Sequence, residues 1–237
     1  MISLRLAIRR AVLRRVLLAL AVWAAGCAGP PAPPPPVDTP APPPRVATPP
    51  AAMRVVALGD SLTAGLGLDS REAYPALLEA RLRAADYAVD VVNAGVSGDT
   101  TAGGLRRVDW ALDDATRVMI VALGGNDALR GLPVPEMKRN LAGIIERAQA
   151  RRVTVVLAGM EAPPNMGPAY TAAFRQVYRD LAAQYRVALV PFLLAGVAGD
   201  PALNQPDGIH PNAAGARKVA DLLWPYVETA VRAAVAR

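Results

Sequence analysis

Four serines and a single histidine bound the nucleophilic chemistry open to this chain. The serines are Ser3, Ser61, Ser70 and Ser97, so an imidazole that activates any of them has to be His210. Ser61 stands in Gly59-Asp60-Ser61-Leu62, directly behind the apolar run Val55-Val56-Ala57-Leu58. Such a run reads as a buried parallel strand, and ligands of open α/β sheets collect beyond the carboxyl ends of the strands. Taken alone, the stretch reads equally well as a turn with a capping serine.

Serine hydrolysis needs a base touching the hydroxyl and an acceptor holding the imidazole in the right tautomer. Asp207 and His210 are three residues apart in Asp207-Gly208-Ile209-His210-Pro211, close enough for a carboxylate to meet a ring nitrogen. Pro211 suits a first helical position and would place His210 at the entrance of the last helix. The oxyanion that develops on attack needs donors fixed where the charge appears. Candidates are the Ser61 backbone N–H, the N–H of Gly98, where a missing Cβ permits close approach, and the side-chain amide of Asn126 in Gly124-Gly125-Asn126-Asp127. A lone histidine beside an aspartate can also be a plain helix-cap hydrogen bond.

Other chemistries lack their residues. One histidine and one cysteine are too few for a zinc site, and Gly65-Leu66-Gly67 is not followed by the third glycine of a dinucleotide fingerprint. Ser97 lies outside a Gly-x-Ser-x-Gly elbow. Asp60 and Asp127 read as loop organisers, Asn93 as a turn residue or a support for the second loop. Met119, Met137, Met160 and Met166 read as packing.

These loops need a scaffold, and the chain alternates strands with helices to supply one. Behind the first strand, Tyr74, Leu77, Leu78, Leu82 and Ala85 fall at helical spacing. Val89, Val91 and Val92 make a strand ending at Asn93, and a helix follows over about 101–114. Further strands are expected at 118–123, 153–157 and 187–190. Between them lie a helix carrying Met137, Leu141, Ile144, Ile145 and Ala148, and another over 169–185. A last helix would bury Val219, Leu222, Leu223, Tyr226, Val227 and Ala230, with Pro225 predicting a kink or break after Leu223. Such alternation gives a parallel sheet covered on both faces, an α/β fold of three-layer α/β/α, flavodoxin-like type.

The first fifty residues are not fold material. Five arginines and no acid in 1–15, the apolar run 16–25 and the small residues Ala24-Ala25-Gly26 make an export signal over 1–26. The run is too short to span a bilayer. Cys27 is the only cysteine, so no internal disulfide can form. Its setting resembles the lipobox of bacterial lipoproteins, with Ala24 where leucine is usual; ordinary secretory cleavage is the alternative. Twelve prolines between Gly29 and Pro50 make 27–52 a semi-rigid linker, with a PxxP-type recognition site as the lesser alternative. Residues 53–237 form one domain. The +6 net charge belongs mostly to the leader: without its five arginines, 21 basic residues face 20 acids. That balance removes the electrostatic motive for nucleic-acid binding.

Gly59-Asp60-Ser61-Leu62, Gly98 in its Ser-Gly-Asp-Thr setting, Gly124-Gly125-Asn126-Asp127 and Asp207-Gly208-Ile209-His210-Pro211 together resemble the blocks of the SGNH (GDSL) hydrolase family, in family order. Tyr74-Pro75-Ala76-Leu77-Leu78 and Asp127-Ala128-Leu129-Arg130-Gly131 are similar to its thioesterase/lysophospholipase and arylesterase branch. The resemblance implies Ser61 as nucleophile, His210 as base, Asp207 as its orienter, and Ser61, Gly98 and Asn126 as oxyanion hole. It also implies the SGNH hydrolase fold, no cofactor, and a loop over about 127–135 that shifts over bound acyl chains. The expected protein is a monomeric, exported serine esterase acting on acyl esters or thioesters. Cys27 would anchor it to a membrane in the periplasm. An O-acetylesterase of envelope or plant polysaccharide and a non-catalytic scaffold lipoprotein are the competing readings.

Overall fold

In a computed structural model the described residues are 53–236. The signal segment 1–26, the Cys27 lipidation position and the linker 27–52 lie outside them.

The chain opens with β1 (Met53–Gly59) and a single helical turn, α1 (Ser61–Ala64). There follow α2 (Tyr74–Ala84), β2 (Val89–Gly95), α3 (Thr101–Ala111), β3 (Thr116–Ala122) and the short α4 (Gly125–Leu129). The second half adds α5 (Val134–Ala150), β4 (Thr154–Ala158), α6 (Pro168–Tyr185), β5 (Ala188–Val190) and α7 (Ala213–Val235). All neighbouring strands pair in parallel in the order β2-β1-β3-β4-β5. Helices α2 and α7 pack together on one side, and α3, α5 and α6 pack in series on the other. This is the expected three-layer α/β/α sheet in its flavodoxin-like order.

Burial follows strand position. Val55 to Leu58 in β1 and Val118 to Leu123 along β3 are fully buried, as central strands covered on both faces must be. Edge strand β2 leaves Val92 exposed. The chain leaves β1 for β2 on one side and returns to β3 on the other, so strand order reverses between β1 and β3. At that switch point the loops after the two strands diverge and open a crevice.

Several boundaries differ from expectation. Helix α7 runs unbroken through Pro225. The proline lies on its exposed side, while Leu223, Val227, Ala230 and Val231 bury the opposite face on both sides of it. Continuous packing there outweighs the lost backbone bond. The same helix starts two residues after Pro211. Asn212 is its N-cap and accepts from Ala214 and Gly215 N–H, whereas Pro211 bridges antiparallel to Asn204. The stretch 127–135 is not one loop: Asp127 is buried in α4, and Val134 and Pro135 already belong to α5.

Candidate active site

Ser61 is the first residue of α1, set at the buried carboxyl end of β1. Asp60 caps that turn, its Oδ1 accepting from Leu62 N–H at 3.0 Å. The hydroxyl points at the loop before α7, where Ser61 Oγ lies 2.8 Å from His210 Nε2. On the other side of the ring, His210 Nδ1 lies 2.6 Å from Asp207 Oδ2. The second oxygen, Oδ1, accepts from the backbone N–H groups of Ile209 (2.9 Å) and His210 (3.0 Å). The His210 N–H, then the imidazole, then the Ile209 N–H hold the Asp207 carboxyl down at about 2. An ionised Asp207 makes Nδ1 the donor and leaves Nε2 to accept the serine proton.

The oxyanion candidates share this cleft. Ser61, Gly98, Asn126 and His210 all line one cavity of about 590 Å³, whose further walls include Leu62, Leu66, Leu129, Met160, Phe192 and Ile209. Among the described residues, neither the Ser61 nor the Gly98 N–H donates to a protein acceptor. Asn126 donates from Nδ2 to Asp60 Oδ2 at 3.1 Å, which fixes the amide and leaves its second N–H for the cleft. Gly98 is glycine for a reason other than close approach. It is the third residue of a turn closed by Asp99 N–H to the Val96 carbonyl (3.0 Å), and its φ of 80° is the left-handed value of a type II turn. A Cβ there would meet nothing nearer than Arg130 Nη2 at 3.7 Å.

The two organising aspartates serve different loops. Burial raises Asp60 to about 6, opposed by its bonds from Leu62 N–H and the Asn126 amide. Asp127 is also raised, first by burial, against two bonds from Thr101. Its carboxylate accepts from Thr101 N–H (2.8 Å) and Oγ1 (2.6 Å). That pair ties the helix carrying Asn126 to the start of α3, which follows the Gly98 turn. Asn93 supports the second loop, as its Oδ1 accepts from Gly95 N–H at 3.0 Å. Ser97 lines the cavity without a bond to His210, and Ser70 is exposed. Met119, Met137 and Met160 are buried in the core. No cluster of metal-ligating side chains occurs among the described residues.

Two positioning side chains escaped the sequence reading. The Arg107 guanidinium donates to the Gly59 carbonyl (2.8 Å), the Ala94 carbonyl (2.7 Å) and Asp99 Oδ2 (2.7 Å), joining the ends of β1 and β2 to the Gly98 turn. Gln205 Nε2 donates to the carbonyls of Leu66 (2.7 Å) and Pro211 (2.9 Å), strapping the histidine loop to the chain after α1. Both act on backbone carbonyls, which leave no mark in residue type or spacing.

A family model described as GDSL-like lipase/acylhydrolase matches residues 57–218, a span holding every side chain of this cleft. The chain is 44% identical over 179 residues to esterase TesA of Pseudomonas aeruginosa, covering 75% of this chain and 89% of that protein. It is 37% identical over 182 residues to thioesterase 1/protease 1/lysophospholipase L1 of Escherichia coli, covering 76% and 86%. A crystal structure of TesA superposes with a TM-score of 0.72 at 42% identity, over 75% of this chain and 99% of that one. The matched span, the identities across most of each relative and the shared fold agree, and the chain belongs to the GDSL-like lipase/acylhydrolase family.

Proposed function

We propose that this chain is a serine hydrolase of carboxylic esters and thioesters that works through an acyl-enzyme, with Ser61 as nucleophile, His210 as base and Asp207 as its orienter. The observation that carries the reading is the unbroken line from Ser61 Oγ through the imidazole to Asp207, with contacts of 2.8 and 2.6 Å. His210 Nε2 takes the hydroxyl proton as Oγ bonds to the substrate carbonyl carbon. The same nitrogen returns it to the departing alcohol or thiol. A water molecule, deprotonated in turn by Nε2, then releases the acid and regenerates the serine. The tetrahedral oxyanion of both steps sits among the Ser61 and Gly98 N–H groups and the Asn126 amide. The mostly apolar cavity beside them suits an acyl chain.

A fluorophosphonate probe followed by p-nitrophenyl esters from acetyl to palmitoyl tests this reading. We expect labelling of Ser61, turnover beyond the acetyl ester, and loss of both in Ser61→Ala by at least about 10³-fold with folding retained. Acetyl-only turnover would favour a deacetylase of polysaccharide. Absence of labelling would favour a scaffold without catalysis.

Residues 1–52 support the further reading that the enzyme is exported and tethered in the periplasm through a lipidated Cys27, on the basic, apolar, small-residue pattern that precedes it. One acyl chain alone binds a membrane only marginally, so a firm tether needs more than one. Cys27→Ser should move the protein from the membrane fraction to the soluble periplasm. Unchanged fractionation would rule out the lipid anchor.

A further inference from the structure

The two oxyanion donors outside Ser61 come from separate elements, a turn for Gly98 and the short helix α4 for Asn126, and little packing holds the turn. In the Val96–Asp99 turn, Val96 and Ser97 are exposed, and the nearest heavy atom to a Cβ built on Gly98 belongs to Arg130. What restrains the turn is polar. Arg107 holds its far end through Asp99 Oδ2 at 2.7 Å. Arg130 holds Gly98 itself, its Nη2 donating to the Gly98 carbonyl at 2.7 Å. Arg130 also directly follows α4, where its own backbone N–H donates to the carbonyl of Asn126 at 3.2 Å. A main-chain bond thus fixes the position of Arg130 to the helix that carries Asn126, and its guanidinium reaches across from there to Gly98. Among the described residues its guanidinium has no carboxylate within ion-pair distance, and its one side-chain hydrogen bond is the contact with Gly98.

We infer that Arg130 is a positioning residue that sets the spacing between the Gly98 N–H and the Asn126 amide. The central peptide of a type II turn, which carries the Gly98 N–H, can rotate when its ends are loose. A guanidinium on the next carbonyl resists that rotation. Donors of an oxyanion hole act only when aimed at the place where charge develops, and displacement of about 1 Å is costly. The effect should therefore fall on the chemical step, while ground-state binding, carried by the cavity walls, is spared.

This inference rests on the oxyanion reading proposed above, and the experiment separates the two. Arg130 is exposed, so Arg130→Ala should fold. Measured on the best-used p-nitrophenyl ester, its kcat should fall about 5–20-fold with KM within about twofold. Millimolar guanidinium ion should restore part of the rate, and Arg130→Lys should retain part of it through a single bond. Asn126→Ala should lose about 10²–10³ in kcat, and adding Arg130→Ala to it should cost less than in the wild type, because the hole is already broken. If Asn126→Ala shows its loss while Arg130→Ala stays within twofold, or changes KM alone, the role of Arg130 is overturned and the oxyanion hole stands. If Asn126→Ala loses nothing, the hole itself is misassigned and the inference falls with it. Full additivity of the double variant would likewise overturn it.

Discussion

Two loops bring the reacting pair together, and they are built on different physics. On the serine side, β1 runs inside the sheet between β2 and β3, and Gly59 is wedged where a Cβ would come 1.9 Å from Thr63 Oγ1 and 2.9 Å from the Ala122 carbonyl. Thr63 shares a buried 2.8 Å hydrogen bond with Tyr74, so α1 is clamped from below. On the histidine side, Pro206 to Ile209 are exposed, and the loop keeps its shape through bonds of its own. Gln205 N–H donates to the His210 carbonyl (2.7 Å), Gly208 N–H to the Gln205 carbonyl (2.9 Å), and Asp207 gathers two further N–H groups. Close packing holds Ser61; a hydrogen-bonded loop holds His210. The place of Ser61 is thus shared with the whole core, whereas that of His210 depends on a few polar atoms.

The largest test of that contrast replaces one of those atoms. Asp207→Asn keeps shape and most loop bonds but removes the charge that sets the tautomer, and kcat should fall by roughly 10²–10⁴ with the fold retained. A loss below tenfold would mean that the loop backbone alone orients the imidazole. Next in size is the response to acid, where the two sides should differ in sign. Asp60, on the serine side, has its carboxyl raised by burial from 3.8 to about 6. The native state then binds more protons than the unfolded chain between those values, so Asp60 makes the fold gain stability as pH falls from 6 to 4. Asp207, lowered from 3.8 to about 2, contributes stability that is complete above 3.8 and is lost as pH falls through 2. Urea unfolding across pH 7 to 4 should show wild type gaining up to about 3 kcal/mol on Asp60→Asn. Against Asp207→Asn it should gain nothing in that window and lose ground below it. A wild-type curve parallel to Asp60→Asn would mean that water reaches Asp60.

The same division decides what was legible in the sequence. Apolar runs and helical spacing marked all five strands and the longer helices, because burial writes itself into residue type. Ser61, Asp207 and His210 stood out because the chain has so few serines and one histidine. Helix termini were harder. Pro211 suits a first helical position by type, but the bridge to Asn204 holds it outside the helix and Asn212 is the cap, accepting from Ala214 and Gly215 N–H. Pro225 signalled a break that the buried stripe on either side of it overrides. The contacts of Arg107, Arg130 and Gln205 were invisible for a general reason, although Arg130 itself stands in the Asp127–Gly131 block. Most of their partners are backbone carbonyls supplied by other loops, so neither composition nor spacing picks the two arginines out among the 26 lysines and arginines, or marks Gln205. Gly98 was found, but for crowding rather than for the left-handed turn that requires it.

The smallest and most direct test sets two glycines against each other. At Gly59 an added methyl meets the Thr63 side chain and the Ala122 backbone, so β1, β3 or α1 has to shift. Overpacking of that kind costs roughly 1–3 kcal/mol, and because the strain sits beneath Ser61, Gly59→Ala should lower Tm and kcat together. At Gly208 the backbone has a φ of 70°, but a Cβ would find nothing within 4 Å. Only the left-handed conformation penalises alanine there, by about 1 kcal/mol. The loop can meet part of that cost locally, since most of its bonds are internal, so Gly208→Ala should leave Tm nearly unchanged and reduce kcat through small misplacement of His210. Thermal melts and kinetics on the two variants therefore give opposite patterns: coupled losses on the serine side, and a loss mainly of rate on the histidine side. Equal falls in Tm would show that the histidine loop is bound to the core as tightly as β1 is, and that His210, like Ser61, is held by packing.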